Sequence, residues 1–140
     1  MTVTLHASCV AIRGRGVLLT GPSGAGKSDL ALRLIDRGAI LVGDDGLVIE
    51  ARDGRLHARP GPNIEGQMEV RGLGIVDIAH SDNVPVALVV ELTSDIQRLP
   101  EDSRERLILG VKVPLISIGA ALASAPSKVA LALDRMGLRF

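Results

Sequence analysis

The chain opens with a loose alternation of apolar and polar residues from Val3 to Ile12, then the turn signal Arg13-Gly14-Arg15-Gly16, then an apolar run from Val17 to Thr20. That order predicts a β-hairpin ending in a buried strand. From Lys27 to Arg37 the period changes, with Leu30, Ala31, Leu34 and Ile35 at helical spacing and Gly38 as a stop, so a helix is predicted here. Ala39 to Val42 is again apolar and ends on Gly43-Asp44-Asp45. Strand, Gly-rich loop, helix and strand in this order open a βαβ unit.

The middle of the chain reads as β-rich. Leu47 to Glu50 and Leu56 to Ala58 flank the tight-turn pair Asp53-Gly54 and predict a second hairpin. Asn63 to Met68 suits a short helix, Gly72 to Ile78 runs into a strand, and Val86 to Leu92, preceded by Pro85, is a strongly apolar strand. Pro100-Glu101-Asp102 has the form of a helix start, which predicts a short helix over Ser103 to Leu109 stopped by Gly110. Val113 to Ile118 is a further strand, and apolar positions at Val129, Ala130, Leu133 and Met136 predict a C-terminal helix from about Ser127 to Met136. The fold class is therefore α/β, with a mixed, β-rich sheet. Neither an internal repeat nor a linker divides the 140 residues, a length that suits one domain spanning 1–140.

Composition narrows the partners. Hydrophobic residues make up 46% and charged residues 23%, the profile of a soluble globular chain. A net charge of zero and 1% aromatic residues leave neither a basic excess for a phosphate backbone nor rings for base stacking, so nucleic acid is not expected. The first residues lack the basic start and apolar run of a signal peptide, and no apolar stretch approaches the roughly 18 residues of a membrane span. A cytoplasmic protein with no membrane partner is expected. Cys9, alone in the sequence, reads as a buried structural thiol outside any metal site.

The chemistry concentrates between the first apolar strand and the first helix. Gly21-Pro22-Ser23-Gly24-Ala25-Gly26-Lys27-Ser28 matches G-x-x-x-x-G-K-[ST], the Walker A phosphate loop. Its glycines let successive N–H groups turn toward phosphate oxygens, and the helix that follows aims its positive end at the same point. Lys27 is placed to reach the β- and γ-phosphates and the Ser28 hydroxyl to ligate magnesium. Asp44-Asp45, ending the next strand, would present a carboxylate to the phosphates or to magnesium. Neighbours on a strand face opposite ways, so one of the two dominates any single role. A plain turn is the competing reading of Asp-Asp-Gly.

Around this loop stand Arg37-Gly38, Val42-Gly43-Asp44-Asp45 and Glu69-Val70-Arg71-Gly72-Leu73-Gly74-Ile75. With them the chain resembles the C-terminal catalytic domain of HPr kinase/phosphorylase over nearly its whole length, the segment EVRGLGI being similar to the family signature. The resemblance implies phosphorylation of a seryl residue of HPr, the carrier of the sugar phosphotransferase system, with magnesium, ATP as donor, and a regulatory role. It implies His6 as the active-site histidine and Lys27 and Ser28 as the loop lysine and the magnesium serine. Asp45 is implied as the residue that takes the seryl proton, with Asp44 second. Glu69 is implied as a further magnesium ligand and Arg98 as the arginine that steadies the transferring group. Taken without the resemblance, His6 reads as a strand-face histidine, Glu69 and Arg71 as a solvated ion pair, and Arg98 competes with Arg104 and Arg106.

The sequence departs from the family pattern in three places. It starts almost at His6, as in short forms lacking the N-terminal domain that resemble those of α-proteobacteria. The segment before Val86 is trimmed. After Ile118 it reads GAALASAPSKVALAL, where the family has a basic loop tied to dephosphorylation, so the reverse, phosphorolytic reaction is less expected than the forward one. The family also implies a homo-oligomer, a hexamer. Two other classes compete: a small-molecule P-loop kinase, for which no arginine-rich lid insertion is present, and a nucleotide-dependent switch, for which no N-K-x-D motif is present. With Phe140 the one aromatic residue, the base of a nucleotide cannot be held by stacking. Loose base selectivity is expected, with pyrophosphate able to replace ATP.

Overall fold

The computed structural model describes residues 1–93 and 104–140. Its first three strands are β1 (Thr2–Leu5), β2 (Ser8–Ile12) and β3 (Arg15–Thr20). The alternating stretch thus breaks at His6-Ala7 into two strands with different partners. The hairpin closes between β2 and β3 through Arg13 and Gly14, both at positive φ (51° and 80°), the two-residue turn whose twist suits a hairpin. Helix α1 (Lys27–Asp36) then leads to β4 (Ile40–Gly43). Gly38, at φ 105°, donates its N–H to the Ile35 carbonyl and ends the helix as its position predicts.

The βαβ expectation is modified. β2 pairs antiparallel with both β3 and β4, so β3 and β4 run parallel but lie one strand apart. β5 (Leu47–Arg52) and β6 (Arg55–Pro60) form the predicted hairpin on Asp53-Gly54, at φ 54° and 76°. β7 (Gln67–Val70) and β8 (Gly74–Asp77) make a separate two-stranded ribbon. The short helix expected over Asn63 to Met68 is absent: Asn63 and Gly66 sit at φ 68° and 71°, which no α-helix tolerates, and Gln67 onward is strand.

β9 (Val84–Leu92) organises the sheet. Its start pairs with β6, its other edge runs parallel to β3, and its end runs parallel to β11 (Val111–Ile118), giving the order β1-β5-β6-β9-β3-β2-β4 with β11 joined to β9. The helix expected to end at Leu109 is instead β10 (Arg104–Ile108), antiparallel to β11. Leu109 and Gly110, at φ 48° and 80°, form a hairpin turn, so the glycine read as a helix stop reverses a strand. The predicted helix start at Pro100 to Asp102, and Ser103, lie outside the described residues.

Helix α2 (Ala125–Met136) starts two residues before its predicted Ser127, with Pro126 in its first turn, where the missing N–H costs nothing. The core divides by strand alternation. Leu19, Leu88, Val90 and Leu92 face Leu30 and Leu34 of α1 and Val129 and Leu133 of α2. Leu18 and Val89 point the other way, onto Leu47, Ile49, Leu56 and Val113. Both helices therefore lie on one face of the sheet, α1 starting where β3 opens into the glycine-rich loop and the carboxyl end of α2 reaching Arg15 at the start of β3. No helix among the described residues is long and apolar enough to cross a membrane.

Candidate functional site

β3 is buried between two apolar layers and ends at Thr20, which places the loop 21–26 at the carboxyl edge of the parallel strands β3, β9 and β11. Open α/β sheets bind ligands at that edge. Gly21, Gly24 and Gly26 take φ of 148°, 83° and 99°, which lets the loop turn back over the start of α1. At Gly26 a Cβ would stand 3.0 Å from that of Ala120, and at Gly21 one would stand 3.1 Å from the Leu92 carbonyl oxygen. The conformation thus needs glycine at both ends of the loop. Gly26 caps α1 without a side chain, and its carbonyl accepts the first helical hydrogen bond, from Leu30 N–H at 2.9 Å. The N–H groups of the first turn are left for an anion.

Lys27 is buried, 8% exposed, and its ammonium donates to the carbonyls of Gly21 (2.9 Å) and Pro22 (3.1 Å). The lysine therefore lies across the opening half of the loop. Ser28 donates to Asp44 Oδ1 at 2.7 Å, and the same oxygen accepts from the fully buried Ser8 hydroxyl at 2.9 Å. Ser8 Oγ in turn accepts from the Asp45 N–H at 3.2 Å. These bonds bind the start of α1, the start of β2 and the end of β4 into one polar knot. Asp44 is 8% exposed and faces the loop. Asp45, in left-handed backbone at φ 55°, is exposed beside it. A hydroxyl and a carboxylate sharing one contact are hard oxygen donors of the kind magnesium takes when phosphates and water complete its shell. Among the described residues no cluster of three or more His, Cys, Asp or Glu is placed to hold a metal by protein groups alone.

The remaining predicted residues are placed less directly. His6 is exposed in the link between β1 and β2, two positions before Ser8. Glu69 is exposed on β7, whose Met68 is buried against the α1 side of the core, so the signature ribbon rides on the helix that follows the loop. Among the described residues no hydrogen bond or ion pair joins His6 or Glu69 to Ser28 or Asp44. Arg98 lies outside the described residues.

Two groups went unread in the sequence. Ser8 carried no signal, being one small polar residue in an apolar strand. Glu91 did carry one, as the acid within the apolar run of β9, the strand parallel to β3. Its carboxylate accepts from Ser117 Oγ at 2.9 Å and from Arg106 Nη2 at 3.2 Å, with Arg104 Nη2 at 3.6 Å. The Ser117 hydrogen bond and the two guanidiniums hold it below the usual glutamate range, against the opposing effect of burial. Glu91 and Arg106 line, with Thr20, Gly21, Pro22, Leu92 and Thr93, a cleft of about 330 Å³ against the loop.

Comparison with known proteins places the chain among relatives of one family. The profile of the HPr Serine kinase C-terminal domain matches residues 1–130. The HPr kinase/phosphorylase of Chlorobium limicola is 46% identical over 128 residues, covering 81% of this chain and 38% of that protein. That of a Chlorobium phaeobacteroides strain is 43% identical over 127 residues, covering 81% and 39%. The chain therefore spans less than two-fifths of the length of these relatives. Among solved structures, the Hpr(Ser) kinase/phosphatase from Coxiella burnetii matches with a TM-score of 0.82 at 29% identity, over 94% of this chain and 88% of that one.

Proposed function

Because the chain belongs to the HPr serine kinase family through its C-terminal domain, we propose that residues 1–140 act as a protein-serine kinase domain that transfers the terminal phosphoryl group of ATP to a seryl hydroxyl of HPr. The observation that carries this reading is the Ser28–Asp44 hydrogen bond of 2.7 Å beside a buried Lys27, which sets the carboxylate at the end of β4 against the cation and the free N–H groups of the glycine-rich loop. Phosphoryl transfer needs positioning and charge neutralisation above all. The N–H groups of 21–28 hold the phosphates, and Lys27, whose ammonium has three donors, reaches the β- and γ-oxygens from its place across the opening of the loop. Ser28 would hold magnesium, with Asp44 beside it and Glu69 as the further ligand, and the ion would supply charge neutralisation for the phosphates.

Asp44 is already engaged with two hydroxyls, whereas Asp45 is exposed and open to a hydroxyl arriving on another protein. Asp45 therefore takes the seryl proton, His6 tunes that acid, and Arg98 steadies the transferring group. Base selectivity is loose, pyrophosphate substitutes for ATP, and phosphorolytic reversal is the weaker activity. Self-association as a hexamer belongs to the same reading, as does a regulatory role in the phosphotransferase system within the cytoplasm.

The test is to incubate the purified protein with ATP, magnesium and the organism's HPr proteins, and to locate phosphate by mass spectrometry. Phosphoserine on HPr is expected, absent with Asp45→Ala although that variant still binds nucleotide. Transfer to no HPr, with phosphate appearing on a small acceptor instead, would move the domain to the small-molecule kinases. Nucleotide binding with no transfer at all would favour a switch.

A further inference from the structure

Thr20, Glu91 and Ser117 stand directly opposite one another on three parallel strands, in the registers Thr20 with Glu91 and Ser117 with Glu91. Paired residues of adjacent strands share a face, so this polar row crosses the sheet at its carboxyl edge, one residue before the phosphate loop begins. β10 then brings two guanidiniums to it. Arg104 donates to Ser117 Oγ at 2.6 Å, and Arg106 donates to Glu91 Oε2 at 3.2 Å. Among the described residues, two cations against one carboxylate leave the cluster with a net positive charge. Glu91, held below the usual carboxylate range, stays ionised at neutral pH and keeps Arg106 oriented.

The two arginines differ in what they face. Arg106 lines the cleft of about 330 Å³ together with Gly21 and Pro22, while Arg104 is outside its lining. Gly21 and Pro22 are also the residues whose carbonyls hold the Lys27 ammonium. That lysine serves the outer phosphates of a bound polyphosphate, so the cleft adjoins the end of the loop where the terminal phosphate sits. A space of this size takes on the order of ten waters, ample for a phosphoryl group and its hydration.

We propose that Arg106, oriented by Glu91, is a binding residue for the terminal phosphate of the polyphosphate seated on the loop, entering from the cleft beside Gly21 and Pro22. The assignment rests on the proposed phosphate-loop function, but not on HPr being the acceptor. An arginine suits it, since its planar fork donates to phosphate oxygens while one nitrogen stays on a carboxylate. No partner copy is required.

The test is titration calorimetry of pyrophosphate with magnesium into the whole protein and its variants. Arg106→Gln should weaken binding on the order of tenfold, and Arg106→Lys, which keeps charge without the fork, should fall between. Arg104→Gln removes the same charge from the same cluster and should stay within about twofold of the parent, as should Arg59→Gln on β6. Equal losses for Arg104→Gln and Arg106→Gln, or no loss for Arg106→Gln, would overturn the assignment. Should Arg106→Gln fail to fold by circular dichroism, Arg106→Lys decides alone, and parent-like affinity there overturns it. Pyrophosphate binding with no HPr phosphorylation would sink the kinase reading and leave Arg106 standing. Normal HPr phosphorylation with an indifferent Arg106 would do the opposite, and a parent protein that binds no pyrophosphate would end the Arg106 assignment while HPr phosphorylation with ATP still decides the kinase reading.

Discussion

Cys9 shows how far burial alone can alter a side chain. It is fully buried on β2, and loss of hydration pushes its thiol up to about 12, well above the lowering effect of its backbone hydrogen bond at Val17. The folded state therefore keeps the proton between the ordinary thiol range and about 12, where the unfolded chain has lost it. Since the unfolded state binds fewer protons there, stability must fall as pH rises through that window, by roughly 1 kcal/mol per pH unit. Urea melts of the parent and of Cys9→Ala should diverge above pH 9, the parent losing stability faster; parallel curves would show the thiol titrating normally. Iodoacetamide at pH 8 should likewise leave Cys9 unmodified until denaturant is added. The burial of Cys9 was legible in its apolar neighbours. The division between Asp44 and Asp45 was not, because it depends on Ser8, 36 positions away in sequence from Asp44, reaching across from β2.

At the scale of elements, the glycine-rich strand–loop–helix was readable because its physics is local. Glycines that permit positive φ, a strand before and a helix after are all encoded within a few residues of one another. Gly26→Ala tests this: it forces an alanine to φ 99° with its Cβ 3.0 Å from that of Ala120. The αL-type penalty is about 1–2 kcal/mol, so pyrophosphate affinity should drop on the order of tenfold while α1 stays intact by circular dichroism. Unchanged affinity would mean that the loop is not the phosphate cradle. β10 was misread for the converse reason. Arg104 to Ile108 is too short for periodicity to separate strand from helix, and a glycine after it ends a helix or turns a hairpin equally well. Pairing along the whole of β11 decided the matter.

For the whole molecule, β9 is the element on which everything else depends. It touches three strands, and its side chains feed both apolar layers. Leu88, fully buried toward α1 and α2, should cost about 2–5 kcal/mol when truncated to alanine. Urea denaturation would show this as a lower midpoint with an unchanged slope, and a loss under about 1 kcal/mol would mean that the two helices pack more loosely than described. Apolar periodicity, turn glycines and the GPSGAGKS loop were determined by sequence alone, because each is a contest between neighbouring residues for backbone angles and for a buried face. The placing of β2 between β3 and β4, the Ser8–Asp44–Ser28 knot and the Glu91–Arg106 pair were decided only by the tertiary structure. The knot and the Glu91–Arg106 pair join residues from 15 to 36 positions apart, and the chain reveals such pairings only when the sheet closes and buried polar groups must find partners.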